Sequence, residues 1–245
     1  MEQCIKAFNR YTSGFDMNNE MIRLKYNHSY RVMELARHLA YALNLSHDDI
    51  FLASIIGLLH DFGRFEQIKN YGTYNDSKSV DHADYSVQYL FDENYIAEYI
   101  QDESLYNIIR KSIQYHNKYA IPSHGLTKRE RLHMQLIRDA DKLDILYLIG
   151  VLGECNVQIT DSPISEVVHF NFFENKSILN SYVTCNNERV VAWLAYLYDL
   201  NFKESFVHLL STHCLETFFE NIGSPEILEP YFTHIIDYVK RKAYL

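Results

Sequence analysis

The sequence predicts an all-α protein, and three observations lead there: glycine (8) and proline (4) are scarce, apolar residues recur at helical spacing, and helix-capping signals punctuate the stripes. The first stripe covers about residues 18–43, where Leu24, His28, Val32, Leu35, Leu39 and Ala42 share a face that includes His28. Ser46 caps the next helix, with Asp48 and Asp49 in its first turn. Leu52, Ile55, Ile56 and Leu59 form its buried face up to His60, and Gly63 is expected to end it. Residues 67–80 are polar and read as a surface loop able to cover a site.

Helical patterns resume at about 81–93 and 103–117, and in the second Ile109, Ile113 and His116 share a face. Thr127-Lys128-Arg129-Glu130 reads as a capping box opening a helix through about Leu152, with His133, Ile137 and Asp141 stacked four apart. Periodicity is weakest at 154–185, where 157–160 and 167–173 read as short strands or irregular chain. Three helices follow near 188–201, 203–222 and 225–243, the last with Pro225 in its first turn after Ser224. The expected organisation is a helical domain over 1–153 with a mainly helical C-terminal extension, 154–245, packed on it.

Composition narrows the function. A chain of 245 residues, 47% hydrophobic and 22% charged, buries a substantial core. A net charge of −9 opposes a broad grip on nucleic acid or an anionic membrane but leaves room for a small anionic substrate. Cys4, Cys155, Cys185 and Cys214 show no paired spacing and read as reduced, structural thiols. The N-terminus lacks basic and apolar leader segments, and the apolar runs 51–59 and 145–152 are too short to span a bilayer, so a cytoplasmic protein is expected. Self-association is left open. Histidine is the commonest metal ligand, and twelve of them make their positions the next question.

Two His-Asp pairs occur. His47-Asp48 sits at a helix start, where capping explains the acid. His60-Asp61 instead ends a strongly apolar helix, and burying an imidazole beside a carboxylate calls for a compensating partner such as a metal ion. Around it lie Tyr26-Asn27-His28-Ser29-Tyr30, Leu58-Leu59-His60-Asp61-Phe62-Gly63-Arg64, Asp81-His82-Ala83-Asp84, Gln114-Tyr115-His116-Asn117 and Arg138-Asp139-Ala140-Asp141-Lys142-Leu143-Asp144.

That order, over about residues 20–150, resembles the HD superfamily, whose His, His-Asp and distant Asp each sit on a helix of an all-helical bundle. The resemblance implies an HD-domain bundle with additional C-terminal helices. It also implies that His28, His60, Asp61 and Asp141 bind one metal ion, that His82 and His116 serve a second, and that Asp61 bridges the two. Adjacent helical residues point about 100° apart, which suits that division between His60 and Asp61. Imidazoles and carboxylates favour one or two divalent ions such as Mn, Fe, Zn or Ni over soft copper.

The implied activity is metal-dependent hydrolysis of a nucleotide or other small phosphate ester by metal-activated water, with Asp61, Arg64 and Lys142 as catalytic candidates. Arg64, Lys118 and Lys142 are the substrate-binding candidates, Arg64 being one turn beyond His60. Asp144, Asp81 and Asp84 are candidates to orient ligand histidines, and Tyr71 and Tyr74 to stack a nucleobase. His124, His133, His169, His208, His213 and His234 fit no pattern and read as structural or exposed.

Two other readings share the pattern: a di-iron oxygenase resembling myo-inositol oxygenase, and a regulatory HD module without turnover. The Gly-Tyr-Pro motif of cyclic-dinucleotide phosphodiesterases is absent. HD-type diadenosine tetraphosphate hydrolases share the histidine order but not the C-terminal helices.

Overall fold

Every residue from Leu52 to Leu59 is buried, which makes α3 (His47–Leu59) the central helix of the N-terminal half. A helix apolar all round belongs inside a bundle rather than on its surface. The computed structural model describes residues 1–154 and 157–244, and among these there is no strand. The all-α expectation therefore holds. No helix among the described residues is long and apolar enough to cross a membrane. The chain forms two compact units, Met1–Asp141 and Lys142–Leu245, which divide inside a helix ahead of the boundary expected at residue 153.

In the first unit, α1 (Glu2–Thr12) buries Cys4, Ala7, Phe8 and Thr12 at helical spacing, an element the sequence reading did not anticipate. Asn19 caps α2 (Glu20–Ala42) by accepting from the Met21 N–H. Its buried face runs through Ile22, His28, Ser29, Val32, Ala36 and Leu39, while Leu24, Leu35 and Ala42 sit at the margin. The buried stripe is thus rotated from the expected one, and small Ser29 and Ala36 occupy its centre. Gly57 explains why: a Cβ there would stand 2.8 Å from the Met33 Cα, so α2 and α3 are packed backbone against backbone.

Gly63 does not end a helix. It opens α4 (Gly63–Tyr71), and a Cβ on it would lie 2.5 Å from the Ser86 backbone nitrogen. Its role is close approach to α5 (His82–Val87), with the Gly63 N–H donating to Ser86 Oγ at 2.8 Å. The expected loop is accordingly shorter, beginning at Gly72 and interrupted by a 3₁₀ turn, Asp76–Lys78. Then come α6 (Tyr106–Tyr115) and α7 (Lys128–Gly150). The capping box is present, with the Glu130 N–H on Thr127 Oγ1 at 3.2 Å and the Thr127 N–H on Glu130 Oε2 at 2.7 Å.

The second unit contains α8 (Glu166–Phe173), α9 (Asn186–Leu194), α10 (Lys203–Thr212), α11 (Cys214–Asn221) and α12 (Glu229–Tyr244). Residues 167–173 are helical, against the strand alternative. Val168 and Phe172, four apart, are the buried pair, and that spacing overrides the strand preference of β-branched and aromatic residues. The helix expected over 203–222 breaks at His213, whose φ of 51° is left-handed. Pro225 precedes a 3₁₀ turn, Glu226–Leu228, so α12 starts later than expected. Cys4, Cys185 and Cys214 are free thiols, and Cys155 lies outside the described residues.

Candidate metal centre

Helix ends build the site. His60 and His116 follow the last residues of α3 and α6, His82 opens α5, His28 projects from α2 and Asp141 from α7. Terminal positions let a side chain reach inward without crossing the preceding turn. Two imidazole pairs result: His28 Nε2 lies 3.1 Å from His60 Nε2, and His82 Nε2 lies 3.1 Å from His116 Nε2.

The other ring nitrogens decide what those contacts are. His60 Nδ1 is 2.8 Å from the Gly57 carbonyl and His116 Nδ1 is 2.7 Å from the Ile113 carbonyl. A carbonyl only accepts, so Nδ1 carries the proton in both rings and the neutral Nε2 presents a lone pair inward. His82 Nδ1 bonds the Asp76 carboxylate, with the same consequence. Burial, then the neighbouring His82 and His60, depress His116 to about 3, and burial with the Arg64 charge depresses His82. Neutral imidazoles at 3.1 Å with facing lone pairs repel unless a cation lies against both.

Asp61 lies between the pairs. Its Oδ2 is 3.6 Å from both His28 and His60 Nε2, and its Oδ1 is 3.5 Å from His82 and 3.8 Å from His116 Nε2. Oδ1 is buried without a hydrogen-bond partner. Asp141 Oδ1 adds contacts of 3.1 Å to His28 and 3.6 Å to His60. Burial by itself would raise both carboxyls, but Lys25, His60, Arg64 and His82 hold Asp61 well below the ordinary range, and His28 and His60 do so for Asp141. Two donor groups, His28-His60-Asp141 and His60-Asp61-His116, could hold a metal ion. Nitrogen and oxygen donors without a thiolate, converging on an orphaned carboxylate oxygen, fit a divalent metal ion.

The structure thus brings together His28, His60, Asp61, His82, His116 and Asp141, with Arg64 beside them. Arg64 Nε is 3.6 Å from Asp61 Oδ1, and its Nη1 donates to Gln67, Asp76 and the Tyr74 carbonyl. Glu66 pairs with Lys69, not with Arg64.

Two expected substrate-binding lysines are engaged elsewhere. Lys118 donates to Asp81 at 2.7 Å and Asp84 at 2.9 Å, and Lys142 lies 2.9 Å from Asp199. Asp81 caps α5 through the Ala83 and Asp84 N–H groups and does not orient His82; Asp76 does. A third donor group, Asp76-Asp81-His82, has both acids already held by Arg64, Gln67, Asn117 and Lys118. Tyr74 is 39% exposed, with its ring 6.0 Å from the Arg64 guanidinium, while Tyr71 is exposed on α4. Asp144 is buried one turn beyond Asp141. His47-Asp48 lies in an ordinary capped first turn, and His133 is a buried partner of Asp49 at 3.0 Å.

Three residues escaped the sequence reading. Lys25 Nζ is 2.8 Å from Asp61 Oδ2. Asp76 comes from the polar loop. Buried Arg138 donates to the carbonyls of Tyr115, His116, Lys118 and Tyr119, holding the end of α6 that carries His116 against α7. The spacing of Lys25 three before His28 is a usable signal, since i and i+3 share a helix face; loop and backbone partners leave none.

No curated protein and no solved structure matches the chain. The family model for the HD domain matches residues 26–146, a stretch that contains every one of the six clustered histidines and aspartates, and the chain is accordingly a member of the HD superfamily.

Proposed function

We propose that the protein is a metal-dependent phosphohydrolase acting on a nucleotide or another small phosphate ester, with a two-ion site. His28, His60, Asp61 and Asp141 would hold one ion, and His82 and His116 a second that shares Asp61. The observation that carries this reading is the buried Asp61 carboxylate, whose two oxygens face separate imidazole pairs while one of them has no hydrogen-bond partner. Divalent ions bound there would supply Lewis acidity toward a phosphoryl oxygen and acidify water.

The chain's own groups perform the rest. Gly57, Ile113 and Asp76 fix three ring tautomers, so the donor atoms are aimed before any ion arrives. Arg64 keeps a buried Nε–H without a hydrogen-bond partner beside Asp61, a donor placed for an anionic substrate oxygen. Burial of His60, His116 and Asp61 keeps bulk water from competing with these contacts.

The test is phosphate release under anaerobic conditions from mononucleotides, dinucleoside polyphosphates and sugar phosphates, using metal-reconstituted protein and Asp61→Ala. Release by the wild type that is lost in the variant is the expected result. A metal-loaded wild type that releases nothing across the panel overturns the proposal, and iron-dependent oxygen uptake would then favour the oxygenase reading.

A further inference from the structure

Lys25 has no place in the donor set, yet it sits against it. Its side chain is only 13% exposed, and its ammonium is 2.8 Å from Asp61 Oδ2, the oxygen turned toward His28 and His60. Arg64, 11% exposed, approaches the other oxygen of the same carboxylate. Two largely buried cations therefore converge on one carboxylate that is itself 2% exposed. An ion drawn onto Asp61 would crowd further positive charge beside both, and a largely buried cation is tolerated only with an anion to pair with.

Counting the groups in contact, Asp61, Asp76 and Asp141 oppose Lys25 and Arg64. With two divalent ions the surplus is three positive charges. A phosphate bearing two negative charges offsets that surplus better than a diester bearing one.

The rim supports the same conclusion. The Tyr74 ring lies 5.7 Å from Lys25 Nζ and 6.0 Å from the Arg64 guanidinium, at the partly exposed edge of the site. An anion entering beside Tyr74 comes within reach of both the ammonium and the guanidinium.

We propose that Lys25 is a further substrate-binding residue which, together with Arg64, selects a terminal phosphate dianion, making the substrate a phosphomonoester. This rests on the phosphohydrolase reading above. Lys25 acts by charge and position, and Asp61 retains its role whether or not the lysine is present.

The experiment compares wild type with Lys25→Met in three readouts: bound metal by elemental analysis, inorganic phosphate binding by calorimetry, and hydrolysis of p-nitrophenyl phosphate against bis(p-nitrophenyl) phosphate. Expected are unchanged metal content and phosphate affinity weakened about 10- to 100-fold, the worth of one charge-assisted hydrogen bond. The KM for the monoester should rise correspondingly while the diester changes by less than about threefold.

Loss of metal in Lys25→Met would make the lysine a support for Asp61 and overturn the proposal, as would unchanged phosphate binding or an equal loss on both esters. Lys25→Gln is read the same way if the methionine variant does not fold. A metal-loaded wild type that cleaves neither ester and binds no phosphate overturns the phosphohydrolase reading itself; a wild type that cleaves the monoester while Lys25→Met binds phosphate normally overturns only the role of Lys25.

Discussion

Both units bury polar side chains, but one buried carboxylate in each, Glu188 and Asp61, is completed in a different way. In the second, Asn187 accepts from the Thr160 N–H and donates to the Thr160 and Ser162 carbonyls. Beside it Glu188 accepts from the N–H groups of Ser165 and Thr184 and from the Thr184 hydroxyl. These groups stitch irregular chain to α9, and their hydrogen bonds are made within the protein. In the first unit Asp61 Oδ1 is orphaned and imidazole lone pairs face one another. A finished polar network stabilises; an unfinished one marks where something from outside belongs.

Substitutions can break that contrast. The largest effect is expected from Asp61→Ala, which should lower phosphate release at least about a thousandfold, about 4 kcal/mol in barrier, together with bound metal. Glu188→Ala should leave metal content intact and destabilise the protein by about 1–2 kcal/mol in urea unfolding, because the Ser165 and Thr184 N–H groups lose their acceptor. If Glu188→Ala instead emptied the metal site at unchanged stability, the division of labour between the units would be wrong.

A smaller effect is expected at Asp76. Its replacement by Ala frees the His82 ring and should weaken metal affinity about 10- to 100-fold in competition titrations with a chelator.

A change of pH separates the two networks by another route. His116 is held to about 3 in the fold against 6.5 in the free side chain, so below 6.5 the unfolded chain takes up a proton that the folded one refuses. Metal-free protein should therefore lose stability as pH falls from 6.5 toward 3, by about 1.4 kcal/mol per unit for one such histidine. Burial raises the Glu188 pKa, but hydrogen bonds from Ser165 and Thr184 hold it to about 2 against 4.5. Its contribution is complete above 4.5 and fades only between 4.5 and 2. Thermal melts of metal-free wild type and Glu188→Ala across this range should differ least at the acid end.

His28, His60, Asp61, His116 and Asp141 were legible because they lie along or end apolar helix stripes, where a polar side chain needs a reason to be. His82, which opens α5 after a polar loop, was legible only through the order of residues it shares with the HD pattern. The surrounding support was not. A lysine on a helix reads as a solvated face, and only packing of α2 on α3 turns Lys25 toward Asp61. Asp76 lies in a polar loop whose path sets its partner, and Lys142 follows Asp141 in sequence yet pairs with Asp199. Gly63 misled because glycine commonly stops a helix, whereas here the missing Cβ admits the Ser86 backbone. For α8, weak periodicity left a short strand or irregular chain as the expectation, while the i, i+4 burial of Val168 and Phe172 made a helix.

Arg138 has a mechanical consequence. The last carbonyls of a helix ordinarily fray, and α6 ends at the residue before His116. Here one buried guanidinium gathers four carbonyls from residues 115–119 and anchors them to α7 three residues ahead of Asp141. The segment that would otherwise fray is tied to α7. The His116 end of the donor cluster is thereby latched to the helix that carries Asp141, and an ion bound there would meet donors fixed in place rather than a hinge that has to be drawn shut.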